Sequence, residues 1–303
     1  MIVTPPSRAP EDLVIDEALV ADLVARQFPS WAHLSLSRVP SSGTDNAMFR
    51  LGADLVVRLP RAAAAAHQVD KEQRWLPVVS ADLPLDVPTP LGVGTPSEPF
   101  PLPWSVYRWL EGQDAFVAPP VDLREAAGSL GRFVSALRRV DPTGGPPSFR
   151  GGPVRTRDDY VQDAIRDLGA DGTVDPHETR DAWEAVLALP QWDGPSVWLH
   201  GDLLPGNLLT VEGRLSAVID FGGMGVGDPA CDLIPAWTMF TPETRSVFAD
   251  AVGSDADTWA RGRGWALCFG LMSEHYYRHS NPVLAGIGRR AVLEALDDLA
   301  AGT

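Results

Sequence analysis

The chain has 303 residues, 45% of them hydrophobic and 21% charged, with a formal net charge of −15. That length exceeds most single compact cores and suits two lobes, while the acidic field repels nucleic acid and anionic membrane and is compatible with a cationic substrate. No apolar run reaches the ~20 residues that span a bilayer, and residues 1–20 carry Glu11, Asp12, Asp16 and Glu17 with no basic stretch before an apolar one, so no spanning helix or secretory signal is expected.

Residues 11–28 place Leu13, Val14, Leu19, Val20, Leu23 and Val24 at amphipathic-helix spacing. Short β-type segments follow at 34–39, 47–51 and 55–59, the last two joined by the turn Gly52-Ala53-Asp54 as a hairpin. Residues 62–76 read as a helix that Pro77 ends. A proline-rich stretch around one strand near Leu91 leads to a buried strand over 104–110, and Glu111-Gly112 reads as a linker. Beyond it, helices are expected at 123–140, 158–168, 181–189, 243–252, 258–277 and 287–300, and short apolar runs at 197–199, 208–211 and 217–219. The order is β-rich with one helix after the strands, then mostly helical. The expected organisation is an α+β chain with an N-terminal lobe over 1–110 and a larger, mostly helical C-terminal lobe over 111–303.

The densest motif is His200-Gly201-Asp202-Leu203-Leu204-Pro205-Gly206-Asn207. An Asp and an Asn five residues apart on a tight loop resemble the catalytic loop of kinases, which implies Asp202 as the residue accepting or orienting a substrate hydroxyl proton and Asn207 as a Mg²⁺ ligand. Eighteen residues after Asp202 comes Ile219-Asp220-Phe221-Gly222, where Asp220 resembles the second metal ligand. Mg²⁺ takes one or two protein oxygens and fills its shell with phosphate and water, and Asn207 with Asp220 supply that number. Gly227-Asp228-Pro229 reads as structural, Asp228 capping the next helix with Pro229 at its first position.

His-Gly-Asp followed by Pro-Gly-Asn resembles the aminoglycoside phosphotransferase family of the protein-kinase-like superfamily, and the likeness spans nearly the whole chain. The family implies a bilobal protein-kinase-like fold, ATP (or GTP) as phosphoryl donor, Mg²⁺ as cofactor, and a small-molecule hydroxyl as acceptor. Ser42, Gly43 and Thr44, in a polar turn between two strands, are the expected phosphate-covering loop. Arg58 in the third strand stands where kinases carry a phosphate-binding lysine; the chain's one lysine, Lys71, lies in the following helix. Glu72 in that helix resembles the carboxylate that pairs with the strand cation. Val106 to Gly112 resembles the hinge, with Trp109 and Leu110 offering backbone groups to the base and Tyr107 lining the back of the pocket.

The family points to an aminoglycoside-type antibiotic, and hence to antibiotic resistance. Acidic contacts for it are sought at Asp158, Asp159, Asp232 and Glu274, and aromatic ones at Tyr276 and Tyr277. A macrolide, a choline-like alcohol or a sugar-like metabolite is the alternative acceptor, and a non-catalytic nucleotide-binding protein the alternative role. Metallophosphatases want His-Asp after the Asn, where this chain has Leu208-Leu209. No Walker A motif is present. Cys231 and Cys268 make no disulfide scaffold and are expected as buried thiols of a cytoplasmic protein. Nucleotide and small-molecule partners are expected, with no nucleic acid and no membrane.

Overall fold

The computed structural model describes residues 14–40 and 45–301. The chain divides into two compact units, one formed by the described residues of Met1–Ala81 with Asp86–Glu111 and Ile219–Gly222, the other by Asp82–Leu85, Gly112–Val218 and the described residues of Gly223–Thr303. Ile219–Gly222 thus belongs with the first unit, whereas the sequence reading assigned it to the C-terminal lobe.

The first unit is an antiparallel sheet of β1 (Leu36–Arg38), β2 (Asn46–Leu51), β3 (Leu55–Pro60), β4 (Pro90–Gly94) and β5 (Trp104–Arg108), in the order β1-β2-β3-β5-β4. Alternation sets which side chains meet the core. In β2, Ala47, Phe49 and Leu51 are buried while Asn46, Met48 and Arg50 are less so. In β3, Val57 and Leu59 join the core cluster and Arg58 between them takes the opposite face. Helix α1 (Glu17–Gln27) lays Val20, Leu23 and Val24 on that cluster. Its N-cap Asp16 accepts from Leu19 N at 2.9 Å, a bond of about 1 kcal/mol.

Helix α2 (Ala63–Val79) does not stop at Pro77. Pro77 is exposed near the C-terminal end, so its missing N–H costs one late hydrogen bond, while Leu76 and Val79 on either side are buried at 0% and 1% exposure. Burying a Leu and a Val contributes about 1.5–3 kcal/mol each, which outweighs a single end-of-helix bond.

The second unit carries two small sheets. In one, β6 (Gln113–Asp114), β8 (Leu208–Val211) and β9 (Arg214–Val218) pair as β6-β8-β9; in the other, β7 (Val197–Leu199) pairs with β10 (Gly225–Gly227). The remainder is helical: α3 (Leu123–Arg138), α4 (Asp158–Ala170), α5 (Pro176–Leu187), the short α6 (Pro235–Thr238), α7 (Pro242–Val252), α8 (Ala256–Tyr277) and α9 (Pro282–Ala301). Helix α5 begins five residues before the expected start at 181, because Asp175 caps it through His177 N and Glu178 N and Pro176 takes its first position. Helices α8 and α9 cross at Gly270 and Gly288, where a Cβ on either would lie 2.7–2.8 Å from the other's carbonyl oxygen. Only glycine permits that approach. Asp228 caps the 3₁₀ turn Pro229–Leu233 through Ala230 N at 3.0 Å, and also meets Arg261 Nε of α8 at 2.9 Å. Among the described residues no helix is long and apolar enough to cross a membrane.

Candidate active site

In the first unit, Arg58 is the centre of a buried charge network. Its Nη1 donates to Glu72 Oε1 and Oε2 at 2.8 and 2.9 Å, and its Nη2 donates to Asp220 Oδ1 at 2.8 Å. With the Asn46 amide oriented to satisfy both its atoms, its oxygen accepts from Arg58 Nη2 and Nε at 2.9 and 3.0 Å. A guanidinium has five N–H donors, and these contacts use all five. Burial by itself would favour a neutral Arg58, but Glu72 and Asp220 more than reverse it, so its pKa stands above the ordinary range. The sequence reading gave Arg58 to nucleotide phosphate. The structure has it fully engaged by protein acceptors, and a phosphate oxygen reaching it would have to displace one of them.

Tyr107, expected at the back of a nucleotide pocket, joins the same network. Its hydroxyl donates to Glu72 Oε2 at 2.5 Å, and burial, then the Glu72 charge, raises the phenol's pKa. Lys71, one residue before Glu72, donates to the Gly222 carbonyl at 2.5 Å. Its pKa is lowered by burial, which Glu72 and Asp220 only partly offset. Asp220 has φ 63°, a left-handed backbone that is uncommon outside glycine and tolerated best by Asp and Asn. Its carboxylate on Arg58 and the Gly222 carbonyl on Lys71 hold that turn from both sides.

At the hinge-like segment the Trp109 amide donates to Asp54 O at 2.7 Å, so this N–H, proposed from sequence for a base edge, is already used. The Leu110 amide enters no backbone–backbone hydrogen bond among the described residues. Arg50 stacks its guanidinium 4.5 Å from the Trp109 ring and reaches Glu111 at 2.7 Å. Ser42, Gly43 and Thr44 lie outside the described residues.

The second unit carries the His-Gly-Asp loop. It rests on Asp232, a fully buried carboxylate whose Oδ2 and Oδ1 accept from His200 N and Gly201 N at 2.7 and 2.8 Å. Gly201 has φ 80°, and a Cβ there would meet Gly223 O at 2.5 Å, which explains the glycine. Asp202 N donates to His200 Nδ1 at 3.2 Å, which leaves the ring proton of a neutral imidazole on Nε2. Asn207 Nδ2 donates to Asp202 O at 2.9 Å and to Asp202 Oδ2 at 3.2 Å, binding the two motif residues to each other. Arg150, on the irregular connection before α4, donates to Gly201 O at 2.8 Å and to Asp202 Oδ1. Burial would lower the Arg150 pKa, and the Asp202 charge more than offsets it, so the guanidinium remains charged.

Of the acidic residues considered for a substrate, Asp158 accepts from Trp183 Nε1 at 2.8 Å, Asp232 supports the loop, and Glu274 is buried beside Arg289. Those three serve the fold, and Asp159 is exposed. Tyr276 and Tyr277 pack edge to face against each other, with Tyr276 exposed. Sequence reasoning gave no role to Arg150, Lys71 or Asn46. Lys71 carried a signal in being the chain's single lysine next to Glu72. Arg150 carried none, since its partner is 52 residues away.

The donor chemistry fits Mg²⁺. Asn207 spends its Nδ2 on Asp202, which leaves the amide oxygen as a hard ligand, and Asp220 offers a carboxylate that is 43% exposed. Each is the kind of hard oxygen donor that Mg²⁺ takes. Among the described residues there is no group of three or more His, Cys, Asp or Glu that could hold a metal.

Residues 37–265 match the family model described as the phosphotransferase enzyme family, APH. Among solved structures, the GDP complex of an aminoglycoside 2'-phosphotransferase-IIIa aligns with TM-score 0.72 and 19% identity, over 94% of this chain and 99% of that one. A thermostable mutant of aminoglycoside phosphotransferase APH(4)-Ia in ternary complex with AMP-PNP and hygromycin B aligns with TM-score 0.65 and 19% identity over 94% and 99%. The macrolide 2'-phosphotransferase MphH from Brachybacterium faecium is 26% identical, with TM-score 0.62 over 91% and 97%. These likenesses carry the fold: a β-sheet N-terminal part and a mostly helical C-terminal part, as in the bilobal kinase-like enzymes. No curated protein matches the chain.

Proposed function

The chain belongs to the phosphotransferase enzyme family, and we propose that it is a small-molecule kinase transferring the γ-phosphoryl group of ATP or GTP to a hydroxyl. One observation carries the reading: Asp202 and Asn207 are hydrogen-bonded to each other on a loop held from below by buried Asp232. Asp202 is the residue that takes the acceptor's proton. A carboxylate has about four lone-pair sites, and Arg150 and Asn207 occupy one each, so a hydroxyl can still donate to it. Asn207 and Asp220 would hold Mg²⁺, which when bound offsets phosphate charge. Phosphoryl transfer asks the protein for little covalent chemistry, so positioning and charge do most of the catalysis. Arg58, Glu72 and Tyr107 keep Asp220 in place, and the backbone around Leu110 together with Ser42, Gly43 and Thr44 is assigned to the nucleotide.

An aminoglycoside is the acceptor favoured by the solved relatives and by the net charge of −15. A macrolide is the second reading, favoured by the 26% identity to a macrolide 2'-phosphotransferase and by the engagement of Asp158, Asp232 and Glu274 inside the fold. Either acceptor makes antibiotic inactivation in the cytoplasm, where nucleoside triphosphate is abundant, the biological role.

The test is coupled release of nucleoside diphosphate with Mg²⁺–ATP and Mg²⁺–GTP across aminoglycosides, macrolides and small alcohols, with Asp202→Ala alongside. Turnover on one class, lost at least ~10²-fold in the variant, supports the kinase and names its acceptor. Turnover that survives Asp202→Ala refutes the assignment of the base.

A further inference from the structure

Four residues, Leu203-Leu204-Pro205-Gly206, separate Asp202 from Asn207, and none of them is basic. The cation at Asp202 comes instead from Arg150, which lies in the irregular connection between α3 and α4. Its guanidinium carbon lies 5.6 Å from the Phe149 ring centroid and 5.8 Å from that of Phe269, and its side chain is 20% exposed. The group is therefore fixed by two rings, a carbonyl and the carboxylate. Its hydrogen bonds to Gly201 and Asp202 leave from Nη1, and among the described residues Nη2 and Nε donate to no protein group. A positioned guanidinium with unspent donors, bound to the very carboxylate assigned as the base, is placed for an anion that arrives beside that base.

Resting on the kinase reading, we propose that Arg150 is a catalytic residue, donating from Nη2 and Nε to the phosphoryl group as it passes to the acceptor. In that step the acceptor oxygen forms its bond to the γ-phosphorus while the bond from phosphorus to the β–γ bridging oxygen breaks. The electron pair of the broken bond leaves on the nucleoside diphosphate, and the acceptor's proton goes to Asp202. Negative charge spreads over the three equatorial oxygens of the transferring group, and a planar fork already in place meets two of them without reorganisation. The same guanidinium holds Asp202 Oδ1, so it fixes the base and the phosphoryl group relative to each other.

A purely structural Arg150 would stiffen the loop and make no distinction between ground state and transition state. The discriminating experiment is calorimetric titration of the full chain with Mg²⁺–ADP, without and with aluminium fluoride as the phosphoryl mimic, for wild type, Arg150→Ala and Arg150→Lys, with melting curves beside each. The expected result is a fluoride-dependent gain in affinity that falls ~10-fold or more in Arg150→Ala, with binding of Mg²⁺–ADP alone within about threefold of wild type. Arg150→Lys recovers part of the gain, since it restores charge without the fork. If Arg150→Ala melts early, Arg150→Gln removes the charge while keeping a neutral, shorter side chain with an amide donor in place of a truncation. An unchanged gain in the charge-removing variant, an equal loss with and without fluoride, or a wild type with no gain overturns the proposal. Mg²⁺–GDP replaces Mg²⁺–ADP throughout if it is the diphosphate that binds, and a wild type that binds neither overturns the kinase reading beneath it.

Discussion

Arg58 Nη1 lies 2.8 Å from Glu72 Oε1 and 2.9 Å from Oε2, a bidentate pair in which the carboxylate side chain is only 2% exposed. A carboxylate at that depth depends on its cation. Arg58→Ala strands it, at about 3–5 kcal/mol, which for a chain of this size lowers the melting temperature by roughly 5–8 °C. Arg58→Lys retains charge but cannot reach Glu72, Asp220 and Asn46 together, so it falls between alanine and wild type. Thermal unfolding of the three proteins checks this, and wild-type melting of Arg58→Ala would refute the network's structural weight.

Lys71 touches Gly222 at one end of the turn that carries Asp220, and Arg58 touches Asp220 itself. Hydrogen bonds from charged groups contribute about 1.5–3 kcal/mol, enough to hold a left-handed aspartate whose alternative conformations are more comfortable. Lys71→Met is expected to raise the Mg²⁺ concentration for half-maximal turnover by ~10-fold, with melting lowered by only about 2–5 °C. An unaltered Mg²⁺ dependence would mean that the turn holds its shape without the lysine.

What could be read from sequence divides by distance along the chain. His200-Gly201-Asp202 to Asn207 and Asp220-Phe221-Gly222 are local patterns, each fixed by a short loop, and the expected α+β organisation followed from where apolar alternation gives way to helical spacing. The meeting of Arg58 with Glu72 was anticipated from the family resemblance, in which a helix carboxylate pairs with the strand cation, and not from any local pattern around Glu72. Arg150 and Asp232 were not legible in their present parts, since both reach the His-Gly-Asp loop from 31–52 residues away, through an irregular segment and a 3₁₀ turn. Pro77 misled for a different reason: a residue rule was applied without knowing that Leu76 and Val79 were buried. At 175–176 the reading followed periodicity and overlooked a cap followed by proline.

Asp232 is the support most directly under Asp202. Its two oxygens accept from two buried backbone amides, so Asp232→Ala leaves both unpaired, at about 1–3 kcal/mol each, and lets the loop drift. Asp232→Asn keeps one acceptor and replaces the other with a donor facing an N–H. Both variants are expected to lose ~10²-fold or more in kcat, because ångström-scale misplacement of a base costs about that much, while binding of Mg²⁺–ADP changes by less. The comparison of kcat with nucleotide affinity decides it: equal losses in both would make Asp232 a general stabiliser and not a support of the base.

Cys231 and Cys268 are each 1% exposed, and neither thiol has a disulfide. Burial pushes the Cys268 thiol up to about 12, and the nearby Arg157 and Arg150 only partly offset this. The folded chain therefore binds that proton over a range where an unfolded cysteine, with a pKa near 8.5, has lost it. Because the unfolded state binds fewer protons there, stability is fully present below about pH 8.5 and declines as pH rises toward the folded value, by about 1.4 kcal/mol per pH unit for one thiol. Cys268→Ala should flatten that part of the slope in denaturant melts between pH 8 and 10. Native protein at pH 8 should leave both thiols unmodified by an aromatic disulfide reagent until denaturant is added, since the thiolate is the reactive form. Rapid labelling of Cys268 in the native chain would mean that α8 opens around it far more often than its packing implies.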